Sequence, residues 1–193
     1  MDFPDPKTIL VVQIGKIGDM ILTTPLFTGL KKLFPDAILK VLASNLNKDI
    51  PLNHCAVNEV IVYRKSFLKN IFLPDISLRK IDMWIDPKDG YSRTSELLLK
   101  MYRPEKSIGF NFKKKIFDIS LNGIVTGTHA VDINVSPLSF FESQNNKITS
   151  LPSFTIPIET EKKFANTFQT DKLNVLINVS AGNNSRYLEN NKW

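Results

Sequence analysis

Apolar residues run unbroken through Ile9-Leu10-Val11-Val12 and give way to Gly15-Lys16-Ile17-Gly18, the pattern of an inner strand of a parallel sheet opening into a glycine-framed loop. This predicts a first strand over about residues 8–14. The period then changes, with Leu22, Leu26, Leu30 and Leu33 at helical spacing, so a helix is expected to run to Phe34-Pro35-Asp36, where proline stops it. Within it, Thr24-Pro25 has the chemistry of an N-cap and first turn, which allows either a short turn plus a helix or one kinked helix. Further strands are expected over 38–43, 59–63, 82–86 and 107–110. Between them lie a short helix over 47–54, a partly helical stretch holding Lys69 and Pro74, and a helix over 92–101. Asp86-Pro87-Lys88-Asp89-Gly90 supplies turn residues. Past Lys113-Lys114-Lys115 the pattern weakens to a helix around 132–142 and an Asn/Ser/Thr-rich stretch over 143–150. The alternation predicts an α/β fold on a parallel sheet, and in such sheets ligands bind beyond the carboxyl ends of the strands.

The opening theme restarts near the end of the chain. Lys172 to Val179 reads as another buried strand, Ser180-Ala181-Gly182-Asn183-Asn184-Ser185-Arg186 as another small-residue loop, and Tyr187 to Trp193 as the start of a helix. The expected organisation is a domain over 1–150, a proline-marked connection over 151–171, and the beginning of a second α/β unit over 172–193. A parallel strand is not stable without neighbours, so the expectation is a fragment, an interrupted gene or an incomplete sequence.

Length and composition narrow the class. At 193 residues the chain suffices for one large domain, or for one plus the beginning of another. With 42% hydrophobic and 23% charged residues it has an ordinary globular composition, and no apolar run reaches bilayer length. Acids stand near the N-terminus where a secretory signal carries basic residues, and the single Cys55 excludes an internal disulfide. A cytoplasmic location is expected. The net charge of +6 favours anionic partners, but without a long basic stripe interleaved with aromatics nucleic acid is not among them. His54 and His129 lack metal-ligand spacing, and no metal site is expected.

The candidate chemistry centres on Asp19, the carboxylate that the first loop delivers. By itself a Gly-Asp pair after a strand is turn and cap chemistry. Gly15-Lys16-Ile17-Gly18 lacks the Gly-Lys-Ser/Thr of a phosphate loop and the spacing of a dinucleotide fingerprint. The wider motif says more. Gly18-Asp19-Met20-Ile21-Leu22-Thr23-Thr24-Pro25, with Leu30 and Phe34-Pro35-Asp36-Ala37, closely resembles the N-terminal signature of the ADP-heptose:lipopolysaccharide heptosyltransferase family, glycosyltransferase family 9. Later landmarks follow in order: Ile81 to Asp86, Lys106 to Phe110, and Asn178-Val179-Ser180-Ala181-Gly182 with Ser185-Arg186.

The resemblance implies the N-terminal half of a GT-B enzyme, a Rossmann-like acceptor domain facing a nucleotide-sugar domain across a cleft. Transfer would be inverting and metal-independent, with no cofactor beyond the nucleotide-sugar donor, expected to be ADP-heptose. Asp19 is the implied general base, with Lys16, Gly18, Thr23 and Thr24 at the acceptor. Ser180, Ala181, Gly182 and Arg186 are implied at the donor phosphates, where the arginine offsets charge on the leaving group. The acceptor is expected to be lipopolysaccharide core or a related anionic glycolipid, reached at the inner face of the inner membrane. Leu188 and Glu189 depart from the family's aromatic and proline after the donor loop, which leaves the donor open. The other-class alternative is an inactive acceptor-domain fragment acting as a binding module, and the isolated chain is expected to lack activity. Thr23 and Thr24 also read as helix caps, Asp86 and Asp89 as turn residues, Trp84 as core, and Lys113 to Lys115 as a solvated surface or a contact for the anionic core.

Overall fold

The computed structural model describes residues 5–63, 80–112, 114–124, 129–141 and 151–165, with Thr167 and Leu173. The expected elements in the Lys69/Pro74 stretch, over 143–150 and from residue 174 onward lie outside the described residues, as does Lys113.

Six parallel strands form one sheet: β1 (Thr8–Gln13), β2 (Ile38–Ser44), β3 (Glu59–Tyr63), β4 (Met83–Asp86), β5 (Lys106–Gly109) and β6 (Ile119–Ser120). Their order is β3-β2-β1-β4-β5-β6. Alternation within β1 splits its side chains between two cores. Ile9 and Val11 join a layer with Met20, Phe27, Leu30 and Leu138, while Leu10 and Val12 join Trp84, Leu98, Leu99 and Phe117. With both faces covered, the strand has no polar face to show, and this explains its continuous apolar run.

The helices are α1 (Ile17–Leu33), α2 (Asp49–Leu52), α3 (Arg93–Tyr102), α4 (Ala130–Val135) and α5 (Ile158–Phe164), with a 3₁₀ turn over Ser136–Phe140. Several expectations shift. Of the two alternatives at Thr24-Pro25 the structure takes the single helix: α1 runs unbroken from Ile17 with Pro25 inside it, so the pair is neither cap nor first turn. Proline has no N–H for the Ile21 carbonyl, and Thr24 Oγ1 donates to that oxygen instead, at 2.7 Å. Pro137 likewise ends α4 early and opens the 3₁₀ turn, so the expected helix over 132–142 is two short pieces. Asp82 precedes β4 rather than starting it; its carboxylate accepts from the Lys7 and Thr8 amides, both at 2.8 Å, and so stitches the entry of β1 to that of β4. Strand β6 was not legible in the sequence. It docks by two residues, held where the Phe117 ring fills the space that a side chain at Gly109 would occupy, 2.6 Å from that glycine's absent Cβ.

The chain divides into two compact units, Met1–Thr155 and Ile156–Trp193. Part of the expected connection therefore belongs to the first unit, where the Ser153 amide donates to Thr24 Oγ1 at 2.8 Å. Helix α5, in the second unit, occupies another part of it, and its described residues are exposed.

Candidate active site at the switch point of the sheet

The chain leaves β1 in one direction to build β2 and β3 and returns on its other side for β4, β5 and β6, so β1 and β4 flank the point where strand order reverses. Loops diverging there leave a crevice. A cavity of about 340 Å³ opens at this place. Gln13, Gly15, Lys16 and Asp19 line it from the β1–α1 loop, Pro87, Lys88 and Asp89 from the loop after β4, and Ala130, Ile133 and Asn134 from α4.

The loop that carries Asp19 is fixed from beneath. Asn47 is buried; its amide donates to the carbonyls of Gln13 at 2.9 Å and Gly15 at 3.1 Å, and its own oxygen accepts from the Ser44 amide at 2.8 Å. Asp19 is the third residue of α1, and its Oδ2 accepts from the Lys16 amide at 3.1 Å. The carboxylate thus caps an otherwise unpaired amide and sits at the positive end of the helix dipole. It is also exposed on the cavity wall. Capping and ligand contact are therefore compatible in one residue. The glycine that the site needs is Gly15, since a Cβ there would lie 2.8 Å from Asp19 Oδ2 and 3.0 Å from Gln13 Oε1. Gly18 has open space where a Cβ would go and does not line the cavity.

Among the expected acceptor residues, the structure brings Lys16 and Asp19 together and takes Thr23 and Thr24 inside. Both threonines are fully buried and absent from the cavity lining. Thr23 Oγ1 accepts from Gln13 Nε2 at 3.0 Å and lies 2.7 Å from the Asp19 carbonyl and 3.1 Å from Asn134 Oδ1. Its place is under the cavity floor, tying β1 and α4 to the first turns of α1. Ser180, Ala181, Gly182 and Arg186 lie outside the described residues. The sequence reading passed over Gln13, Lys88 and Asn134. A polar residue ending a buried strand was a usable signal for Gln13, but Asn134 is 111 positions from Thr23 and only folding brings them together.

Asp86 ends β4 beside the cavity and is buried. Burial pushes its carboxyl above the ordinary range, opposed by hydrogen bonds from the Ser95 hydroxyl and the Lys88 amide. Between the unfolded and folded values the native state holds more protons, so this group makes stability fall as pH rises from about 4. Asp86→Asn is expected to flatten that slope in melting temperatures measured from pH 4 to 8; an unchanged slope would show that the carboxyl is not the titrating group. His54 is buried: it packs edge-on to Phe27 with ring centres 5.5 Å apart, and burial lowers its pKa. His129 caps α4 through Nδ1, which accepts from the Val131 amide at 3.2 Å.

Fold and cavity together define a Rossmann-like α/β domain with a cavity at its switch point, the fold class expected from the sequence. Solved structures to which it is similar include glycosyltransferases. A glycosyl transferase of family 9 from Veillonella parvula superposes with a TM-score of 0.76 over 98% of this chain at 17% identity. Escherichia coli heptosyltransferase WaaC, solved with ADP-2-deoxy-2-fluoro heptose, gives 0.58 over 85% at 17% identity. The E. coli ADP-heptose lipopolysaccharide heptosyltransferase II gives 0.63 over 83% at 17% identity. At these identities the likeness is one of fold. The chain spans 58%, 56% and 50% of those three proteins. No protein-family model and no curated protein matches the sequence. No helix among the described residues is long and apolar enough to cross a membrane.

Proposed function

We propose that the chain supplies the acceptor half of an inverting, metal-independent glycosyltransferase that moves a sugar from a nucleotide-sugar, ADP-heptose, to lipopolysaccharide core or a related surface glycan. The observation that carries this reading is the Asp19 carboxylate, exposed in the switch-point cavity and held there by the Lys16 amide. In the reaction an acceptor hydroxyl attacks the anomeric carbon and passes its proton to Asp19, while the anomeric carbon–oxygen bond breaks and its electron pair leaves with the nucleoside diphosphate. Lys16 and Lys88, set against Asp19 and Asp89, offer the cavity two cations for phosphorylated core sugars. Arg186, with the small residues Ser180, Ala181 and Gly182, holds the donor phosphates. The work is done in the cytoplasm at the inner face of the inner membrane, where a glycolipid acceptor is exposed.

In a two-domain form with a complete donor half, ADP-heptose and core lipopolysaccharide should yield ADP. Arg186→Ala should raise the donor dissociation constant and leave acceptor affinity unchanged, since the two ligands belong to different domains. A protein that binds ADP-heptose yet releases no ADP with any core acceptor would overturn the reading and leave a binding module.

A further inference from the structure

A second cleft, of about 460 Å³, opens between the C-terminal end of α3 and the loop joining β5 to β6. Ser107, the second residue of β5, and Asp118, just before β6, lie on its wall, whereas the first cavity sits where β1 and β4 finish. All strands are parallel, so the two lie at opposite ends of the sheet. Four cations line the second cleft, Lys100, Arg103, Lys114 and Lys115, against two carboxylates, Glu96 and Asp118. Both carboxylates are already engaged. Glu96 accepts from Lys100 Nζ at 2.7 Å and from the Tyr91 hydroxyl at 2.6 Å, which holds it at a pKa of about 2. Asp118 accepts from the Ser107 amide at 2.9 Å and its hydroxyl at 2.7 Å. Among the described residues Arg103, Lys114 and Lys115 form no ion pair, although the charge of Lys114 also acts on Glu96.

The cationic side is also organised in advance. Asn111 Oδ1 accepts from the amides of Ile116 at 2.7 Å and Phe117 at 2.9 Å, and its amide group donates to the Phe117 carbonyl at 3.0 Å, so the loop bearing Lys114 and Lys115 is pinned. Arg103 caps α3 in the left-handed region, with φ of 44°, while its amide donates to the Leu99 carbonyl at 3.0 Å. Glycine is the residue that takes this cap position without strain. An arginine there sets a forked, permanently charged donor on the cleft wall.

We propose that this cleft is a second ligand site, apart from the reaction cavity, for a phosphate-bearing molecule with at least two negative charges. The arginine fork pairs with phosphate oxygens in bidentate fashion, and the two lysines supply point charges for a neighbouring phosphate. The same chemistry is offered by a free diphosphate and by an anionic lipid headgroup. The inference stands independently of the transferase reading, because it uses none of the residues at the first cavity.

Inorganic pyrophosphate, added to the full chain with ionic strength held constant by sodium chloride, should shift the amide resonances of Arg103, Ser107 and Lys114 to Ile116 saturably and leave Gly15 to Asp19 unmoved. The double variant Lys114→Glu/Lys115→Glu, whose side chains are exposed and whose loop is pinned by other groups, should weaken binding about tenfold or more. Arg103→Gly should weaken it about tenfold while the melting temperature holds or rises, because glycine relieves the left-handed backbone. An arginine kept only for structure would change melting and not affinity. Flotation with cardiolipin vesicles, against phosphatidylcholine vesicles, separates the sources. Binding to cardiolipin, whose headgroup carries two phosphates, that the same variants abolish assigns the site to a lipid headgroup, and binding to pyrophosphate alone assigns it to a free phosphate compound. Shifts that fail to saturate, that spread over all exposed lysines, or that survive Lys114→Glu/Lys115→Glu would overturn the proposal.

Discussion

Replacing Asp19 by asparagine is expected to lower sugar transfer on the order of 10²-fold or more and to leave the domain folded. Asparagine keeps an oxygen for the Lys16 amide, which the carboxylate now engages at 3.1 Å, so the first turn of α1 stays capped. What disappears is the proton acceptor. The loss of charge at the helix N-terminus costs about 0.3–1 kcal/mol, too little to unfold the domain. Asp19→Ala is the less informative change, since it removes cap and base together. The measurement is the initial rate of ADP release in the two-domain form, taken beside the melting temperature of the same variant. Turnover near that of the parent protein would leave Asp19 with its capping role alone.

Trp84→Ala should give the largest loss of stability, about 3–5 kcal/mol, or a melting temperature lower by roughly 10 °C. Trp84 is fully buried in the middle of the sheet and packs among Leu10, Val12, Leu98, Leu99 and Phe117, with Tyr102 stacked on it at 6.4 Å between ring centres. Its indole N–H finds no acceptor among the described residues. A buried donor without a partner is itself unfavourable by about 1–3 kcal/mol, so Trp84→Phe loses volume and sheds that penalty at once. The phenylalanine variant is therefore expected to fall within about 1.5 kcal/mol of the parent while the alanine variant collapses the layer. Urea unfolding of both variants tests this. Equal losses for the two would mean that the indole N–H is satisfied after all.

Much of the fold was legible because its signals are local. The runs at Ile9 to Val12, Ile38 to Ala43 and Glu59 to Tyr63 announced strands within a residue or two of their observed bounds, since strands covered on both faces admit few polar residues. Local rules left alternatives open or fell silent where a particular side-chain contact decided the outcome. Thr24-Pro25 has the chemistry of a helix start, yet it lies inside α1 because the Thr24 hydroxyl serves the Ile21 carbonyl that Pro25 leaves unpaired. Strand β6 carries no pattern of its own; two residues pair with β5 because Phe117 packs into the gap at Gly109.

For the candidate site, the sequence by itself determined where to look: a glycine-framed loop after an inner strand, delivering Asp19. Spacing along the chain is enough for that, since a strand, its loop and the first turn of the next helix are contiguous. Which side chains meet Asp19 was decided by the tertiary structure. Lys88 arrives from the loop after β4 and Asn134 from α4, while Thr23 and Thr24, only four and five residues from Asp19, are buried, Thr23 bonding to Gln13 and Asn134 and Thr24 to the Ile21 carbonyl. The physical reason lies in the strand order. A sheet that builds outward on one side of β1 and then returns on the other gathers loops far apart in sequence at one crevice, and no local periodicity records which loops those are.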